Sequence, residues 1–143
     1  MRTTLEPPAG AGACRFCHRL RVRFAETDAM GVVHHAAYLP YLEAARVEYL
    51  RSVGHPFDRM RAEGWELPVV EVVARYHRPL RFDEEVDVHL VVAATRGATL
   101  EISYVLMVGD ELRATAATAH GVVGPLGRPV RCPEWLVSLA EPS

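Results

Sequence analysis

The sequence predicts an α+β fold in which a curved, five-stranded antiparallel sheet wraps around one long central helix. Two observations predict it. The apolar pattern runs strand, long helix, short helix, then four strands joined mostly by tight turns, and tight turns imply antiparallel pairing. The long helix carries a single apolar stripe, and no second helix is long enough to cover it, so the stripe has to bury against a sheet face.

The elements follow in chain order. Residues 1–13 hold Pro7, Pro8, Gly10 and Gly12 without an apolar run and are expected to form a disordered lead ahead of a single domain over 14–143. Leu20, Val22 and Phe24 alternate with Arg19, Arg21 and Arg23, the period of a half-buried strand with a solvated or ion-paired arginine face. Tyr38, Leu42, Ala45, Tyr49 and Val53 recur at helical spacing, and Gly54 and Pro56 stop that helix. Pro40 fits its first turn, where backbone N–H groups have no intrahelical partner. On the same helix Glu43 and Arg46, three residues apart, are expected to pair. A shorter helix is expected over 57–63, ended by Gly64. Val70, Val72, Ala74 and Tyr76 then alternate with Glu71, Arg75 and His77, and Val86, Val88, Leu90 and Val92 with Asp87 and His89. Arg96-Gly97 and Gly109-Asp110 turn the chain into strands over 100–108 and 112–123, and a short helix over 133–139 closes it. His77, His89 and His120 fall inside strand patterns and read as structural.

Composition narrows the function. A net charge of −2 supplies no field to hold nucleic acid or an anionic membrane. No run of 18 apolar residues exists to span a bilayer. The N-terminus lacks the apolar stretch of a signal peptide, which points to the cytoplasm and reduced thiols. All sixteen basic residues are arginine, so any phosphate-binding cation is an Arg or a charged His. Cys14-Arg15-Phe16-Cys17-His18 has the spacing of a haem-attachment motif, but it runs straight into a strand without an export signal. Cys132 has no spaced partner, so the cysteines read as incidental and neither cofactor nor metal is expected. His34 and His35 are adjacent, and their side chains diverge, which argues against a metal site there.

The chemistry concentrates between Arg23 and Glu43. Asp28 opens a turn containing Gly31, and His34 and His35 stand at the mouth of the long helix, where no Ser, Thr, Asp or Asn occupies the cap position. The N–H groups of such a helix start are either hydrated or open to a ligand oxygen. Thioester cleavage asks for a carboxylate near the carbonyl carbon and fixed N–H donors near the carbonyl oxygen, and this stretch supplies both. Taken alone, Asp28 serves equally well as a turn cap. Gly31 lets the backbone turn or approach a ligand closely.

The segment Glu26-Thr27-Asp28-Ala29-Met30-Gly31-Val32-Val33-His34-His35-Ala36-Ala37-Tyr38, followed by Glu43-Ala44-Ala45-Arg46, resembles the signature of the hotdog-fold acyl-CoA thioesterases. The likeness is to the subfamily of 4-hydroxybenzoyl-CoA thioesterase and the Tol-Pal-associated thioesterase, and with the element order it covers about residues 18–125. His34 replaces the usual aromatic, and Ala37 a common small polar residue. The resemblance implies hydrolysis of an acyl-CoA thioester, with Asp28 as nucleophile or general base and the backbone N–H of His35 polarising the carbonyl; the His35 imidazole orients water or the acid, or packs. It implies substrate contacts at Gly31, Val33, His34 and Tyr38. For the phosphates of coenzyme A the candidates are Arg96 at a hairpin turn and Arg128 and Arg131 after the last strand. It also implies a homodimer, or a dimer-of-dimers tetramer, with the site at the subunit interface. A hotdog-fold dehydratase or hydratase and a non-catalytic acyl-CoA binding module are the alternatives; the first would need a catalytic His in a different context.

Overall fold

The computed structural model describes residues 5–12 and 14–141. Five strands, β1 (Phe16–Arg21), β2 (Val69–Tyr76), β3 (Glu85–Arg96), β4 (Thr99–Val108) and β5 (Glu111–Gly121), form one antiparallel sheet in the order β1-β3-β4-β5-β2. Helices α1 (Tyr38–Ser52) and α2 (Phe57–Ala62) lie between β1 and β2, and α3 (Glu134–Val137) follows β5. This is the hotdog arrangement.

Hairpins build the middle of the sheet. Gly97 (φ 55°) and Gly109 (φ 57°) take the left-handed conformation that the two tight turns need. Register shifts at Val92/Ala94 in β3 and Leu106/Met107 in β4 mark bulges, which bend a sheet and increase its twist. The bent sheet wraps α1. Tyr38, Tyr41, Leu42 and Ala45 of the helix are buried in one cluster with Val86, Val88, Leu90 and Val92 of β3, Leu100, Ile102, Tyr104 and Leu106 of β4, and Ala114 and Ala116 of β5. Each fully buried Val or Leu contributes about 1.5–3 kcal/mol.

The long α1 and α2 excursion carries the chain across the sheet, so β2, second in sequence, lands at the edge furthest from β1. Among the described residues β2 pairs as a strand only with β5, and Val70 is 66% exposed. The arginine face of β1 is consumed by ion pairs: Arg19 with Asp87 and Glu85, Arg21 with Asp83 and Glu85. Cys17 and His18 are successive β1 residues whose side chains leave opposite faces, so the haem-like spacing gathers nothing.

Two local expectations fail. Phe24 does not continue the β1 core face; β1 ends at Arg21, and Phe24 opens a 3₁₀ turn (Phe24–Glu26) with its ring 76% exposed against Phe82. Glu43 and Arg46 do not pair either, and Arg46 makes no ion pair among the described residues; its guanidinium bonds Tyr104 instead. Of the expected lead, residues 1–4 and 13 lie outside the described residues, while Leu5 is buried on the outer sheet face with Ala117 and Ala119.

Candidate active site

The chain between β1 and α1 folds back on itself. Thr27 bridges Val33, Asp28 N–H donates to Val32 O at 2.9 Å, and Gly31 N–H to Asp28 O at 3.0 Å. Gly31 sits at φ 78° with open space where a Cβ would stand, so glycine is needed there for its dihedral, not for room. Asp28 is exposed. Its Oδ1 accepts from Met30 N–H at 2.8 Å and, more weakly, Val32 N–H at 3.4 Å. The acid therefore caps its turn with one oxygen and keeps Oδ2 without a partner among the described residues.

A second acid, which sequence reasoning left without a role, fixes this loop to the helix. Glu26 Oε1 accepts from Tyr41 OH and from Arg23 N–H, each at 2.7 Å, and Oε2 from Arg23 Nε at 3.0 Å. Burial pushes its carboxyl up, but those three hydrogen bonds outweigh it and hold the pKa below the ordinary range. The Tyr41 phenol is driven up, by burial first and by Glu26 second. The signal in the sequence was an acid three residues after Arg23, the spacing of a capping box. From the same turn, Glu26 O accepts His34 N–H at 2.9 Å, which ties the acid loop to the helix mouth.

The mouth is a 3₁₀ turn, His35–Ala37, running into α1. The cap missing from the expected residue types is His34, whose Nδ1 accepts Ala36 N–H at 3.1 Å while its carbonyl accepts Ala37 N–H at 2.9 Å. Flanked by the occupied N–H groups of His34 and Ala36, the His35 N–H has no partner among the described residues. The His35 carbonyl is pinned by Tyr76 OH of β2 at 3.1 Å, and the Tyr76 ring meets Tyr38 edge-on. The two imidazoles do not diverge as expected of successive side chains: their rings lie 4.2 Å apart, centre to centre, with their planes 30° apart.

Support also comes from the opposite side of the loop. Val33 N–H donates to Leu80 O at 2.8 Å, and Val32 bridges Arg81. Arg113, on β5, holds the 79–84 segment: Nη1 donates to Pro79 O at 2.7 Å and to Glu84 Oε1 at 2.9 Å, and Nη2 to Glu84 Oε2 at 2.7 Å. Its Nε lies 2.5 Å from Glu111 Oε1, an ion pair. The Arg113 guanidinium keeps the Glu84 carboxyl below its ordinary pKa. The bond from β5 to the helix mouth thus runs Arg113, Glu84 and Pro79, Leu80, Val33.

Of the expected contacts, His35, Val33 and Tyr38 line an open depression of about 350 Å³ with Tyr76, His77 and Pro79. Val33 and Tyr38 are themselves buried, at 5% and 4% exposure, and Asp28 stands outside the lining. Arg96, Arg128 and Arg131 gather elsewhere. Cys132 N–H donates to Gly97 O at 2.8 Å, which lays the segment with Arg128 and Arg131 against the β3–β4 turn. All three arginines are exposed and carry no ion pair among the described residues. They stand at the far end of β3, whose 12 residues span about 40 Å. One chain therefore does not bring them to Asp28.

The profile of the Thioesterase-like superfamily matches residues 22–139. A protein of Aquifex aeolicus named as a candidate esterase is 41% identical over 108 residues, covering 76% of this chain and 84% of that protein. The acyl-CoA thioesterase YbgC of Haemophilus influenzae is 34% identical over 122 residues, 83% of this chain and 89% of its own. The crystal structure of a hypothetical protein from Thermus thermophilus superposes with a TM-score of 0.82 at 39% identity, covering 86% of this chain and 98% of that one. With a matching profile that spans the loop, the helix and the four strands β2 to β5 behind them, the chain belongs to the Thioesterase-like superfamily.

Proposed function

We propose that the protein is a thioester hydrolase that converts an acyl-CoA to the free acid and CoA. The observation that carries this reading is the pairing of a half-engaged carboxylate, Asp28, with an unpartnered backbone N–H, His35, on one loop braced by Glu26. In the general-base route Asp28 takes a proton from water as the water oxygen bonds to the thioester carbon. The His35 N–H, at the positive end of α1, stabilises the negative charge that grows on the carbonyl oxygen. The C–S bond then breaks, and the proton held by Asp28 passes to the departing thiolate. In the nucleophilic route an Asp28 oxygen bonds to the thioester carbon as the C–S bond breaks and CoA leaves as the thiolate; water then cleaves the mixed anhydride, returning the Asp28 carboxylate, freeing the acid and giving a proton to the thiolate.

The assembly we infer is a homodimer through β2, with a dimer of dimers as its extension. The exposed valines and the open edge of β2 favour it. A strand that pairs with its own copy does so about a two-fold axis, hence antiparallel. Tyr76, at one end of β2, marks the helix mouth; Val69, at the other, pairs His120, which in turn lies opposite Leu100 near the arginine end. The two-fold carries Arg96, Arg128 and Arg131 of the partner subunit toward the helix mouth, where they meet the CoA phosphates. Three unpaired thiols among the described residues agree with a reducing cytoplasm.

The test is Asp28→Asn. Thiol release is expected to fall about 100-fold or more while acyl-CoA binding, followed by calorimetry, is retained. Unchanged turnover would remove Asp28 from the chemistry, and binding without any hydrolysis by the unaltered protein would make it an acyl-CoA binding module.

A further inference from the structure

A second polar cluster lies in the interior, away from the Asp28 loop. Between α1 and the sheet, at the Val69 end of β2, lies a cavity of about 390 Å³ whose lining includes Glu43, Arg46, Val69, Ile102 and His120. Beside it runs a chain of hydrogen bonds: Arg46 Nη1 to Tyr104 OH at 3.2 Å, Tyr104 OH to Thr118 Oγ1 at 2.6 Å, Thr118 Oγ1 to His120 Nε2 at 2.8 Å, and His120 Nδ1 to Leu67 O at 2.9 Å. Both ends dictate its direction. Leu67 O only accepts, so Nδ1 carries the imidazole proton and Nε2 accepts from Thr118; a guanidinium only donates, so Tyr104 O accepts from Arg46. Every link then donates toward Leu67. The ring stays neutral, since burial, ahead of the nearby Arg46 charge, pushes the His120 pKa down to about 4.

This chain occupies one of the five N–H donors of Arg46. The rest meet no carboxylate among the described residues, although Glu43 lines the same cavity one helical turn away. A guanidinium without a carboxylate partner among the described residues and fixed by a neutral relay is a donor prepared for something that enters the cavity. The two-fold pairing of β2 also sets this cavity, at the Val69 end, against the partner's helix mouth at the Tyr76 end.

We propose that Arg46 selects the acyl group: the cavity takes the acyl chain, and the guanidinium donates to a neutral hydrogen-bond acceptor, an oxo or hydroxyl oxygen, at its remote end. Glu43 excludes a carboxylate from that position by like charge. The proposal rests on the thioesterase reading for its substrate, but not for its test. Hexanoyl-CoA, 5-oxohexanoyl-CoA and adipyl-CoA present an alkyl, a neutral acceptor and an anion at similar length. The oxo thioester is expected to exceed the other two in kcat/KM by about 10- to 100-fold, the effect carried in KM. In Arg46→Met that advantage collapses toward equality, and Tyr104→Phe, which frees the guanidinium to swing, reduces it in part. Glu43→Gln raises adipyl-CoA alone. A preference that survives Arg46→Met, equal handling of all three thioesters, or a leading rate with adipyl-CoA overturns the proposal. Should no thioester be hydrolysed, the hydrolase reading fails by itself, and Kd values for the same three compounds decide this one by the same ordering.

Discussion

At the residue scale, His120 gives the fold a calculable sensitivity to acid. Above the ordinary histidine pKa of 6.5, folded and unfolded chains both hold it neutral, and its full contribution is present. As the pH falls below 6.5 the unfolded chain takes up a proton that the folded protein refuses until about 4. Stability is therefore lost across that window, by an amount on the order of 3 kcal/mol in total. Glu26, Glu84 and Asp87, all held below the ordinary carboxylate range, lose their contributions only lower, as the pH drops through their folded values. Urea midpoints measured from pH 7 to pH 4.5 are expected to fall steadily in the unaltered protein and to flatten in His120→Asn. A parallel slope in both would place the acid sensitivity elsewhere.

At the element scale, the 79–84 loop is positioned from β5. Arg113→Met strands Glu84 half-buried beside Glu111 and is expected to cost about 3 kcal/mol. It should also lower thiol release at least tenfold, because Leu80 no longer holds Val33 and the helix mouth drifts, while Kd for acyl-CoA changes little. Arg113→Met with Glu84→Met should regain part of the stability, since no charge is then left unpaired; urea titration of the single and double variants measures that coupling. Strictly additive losses would mean the pair does not act as a unit. Such a device is invisible in sequence, for Arg113 and Glu84 are 29 positions apart and each reads as an ordinary surface charge. What was legible was periodic: the Tyr38, Leu42, Ala45 stripe, the alternating strands, the Gly97 and Gly109 turns, and the Asp28 to Tyr38 signature. Contacts that depend on folded neighbours were not. His34 acts as a cap despite its residue type, and Phe24 leaves the strand because Glu26 bonds back to Arg23. The Arg46 to His120 relay joins three elements through residues that each looked structural or ion-paired when taken singly.

At the scale of the whole molecule, the parts proposed for one reaction stand at opposite ends of a single sheet. The acid loop lies near Tyr76, and the arginine cluster lies beyond the β3–β4 turn. Strand length explains the separation, because the acid loop is bonded beside the Glu85 end of β3 and the arginine cluster lies beyond its Arg96 end. That layout has a genetic consequence. A copy disabled at Asp28 still carries a sound set of arginines, and a copy stripped of Arg96, Arg128 and Arg131 still carries a sound acid. Co-expressed, two such null alleles should complement: half of randomly assorted dimers are mixed, each mixed dimer rebuilds one of its two centres, and about a quarter of normal activity returns. If the mixture stays as dead as its parents, each subunit works alone.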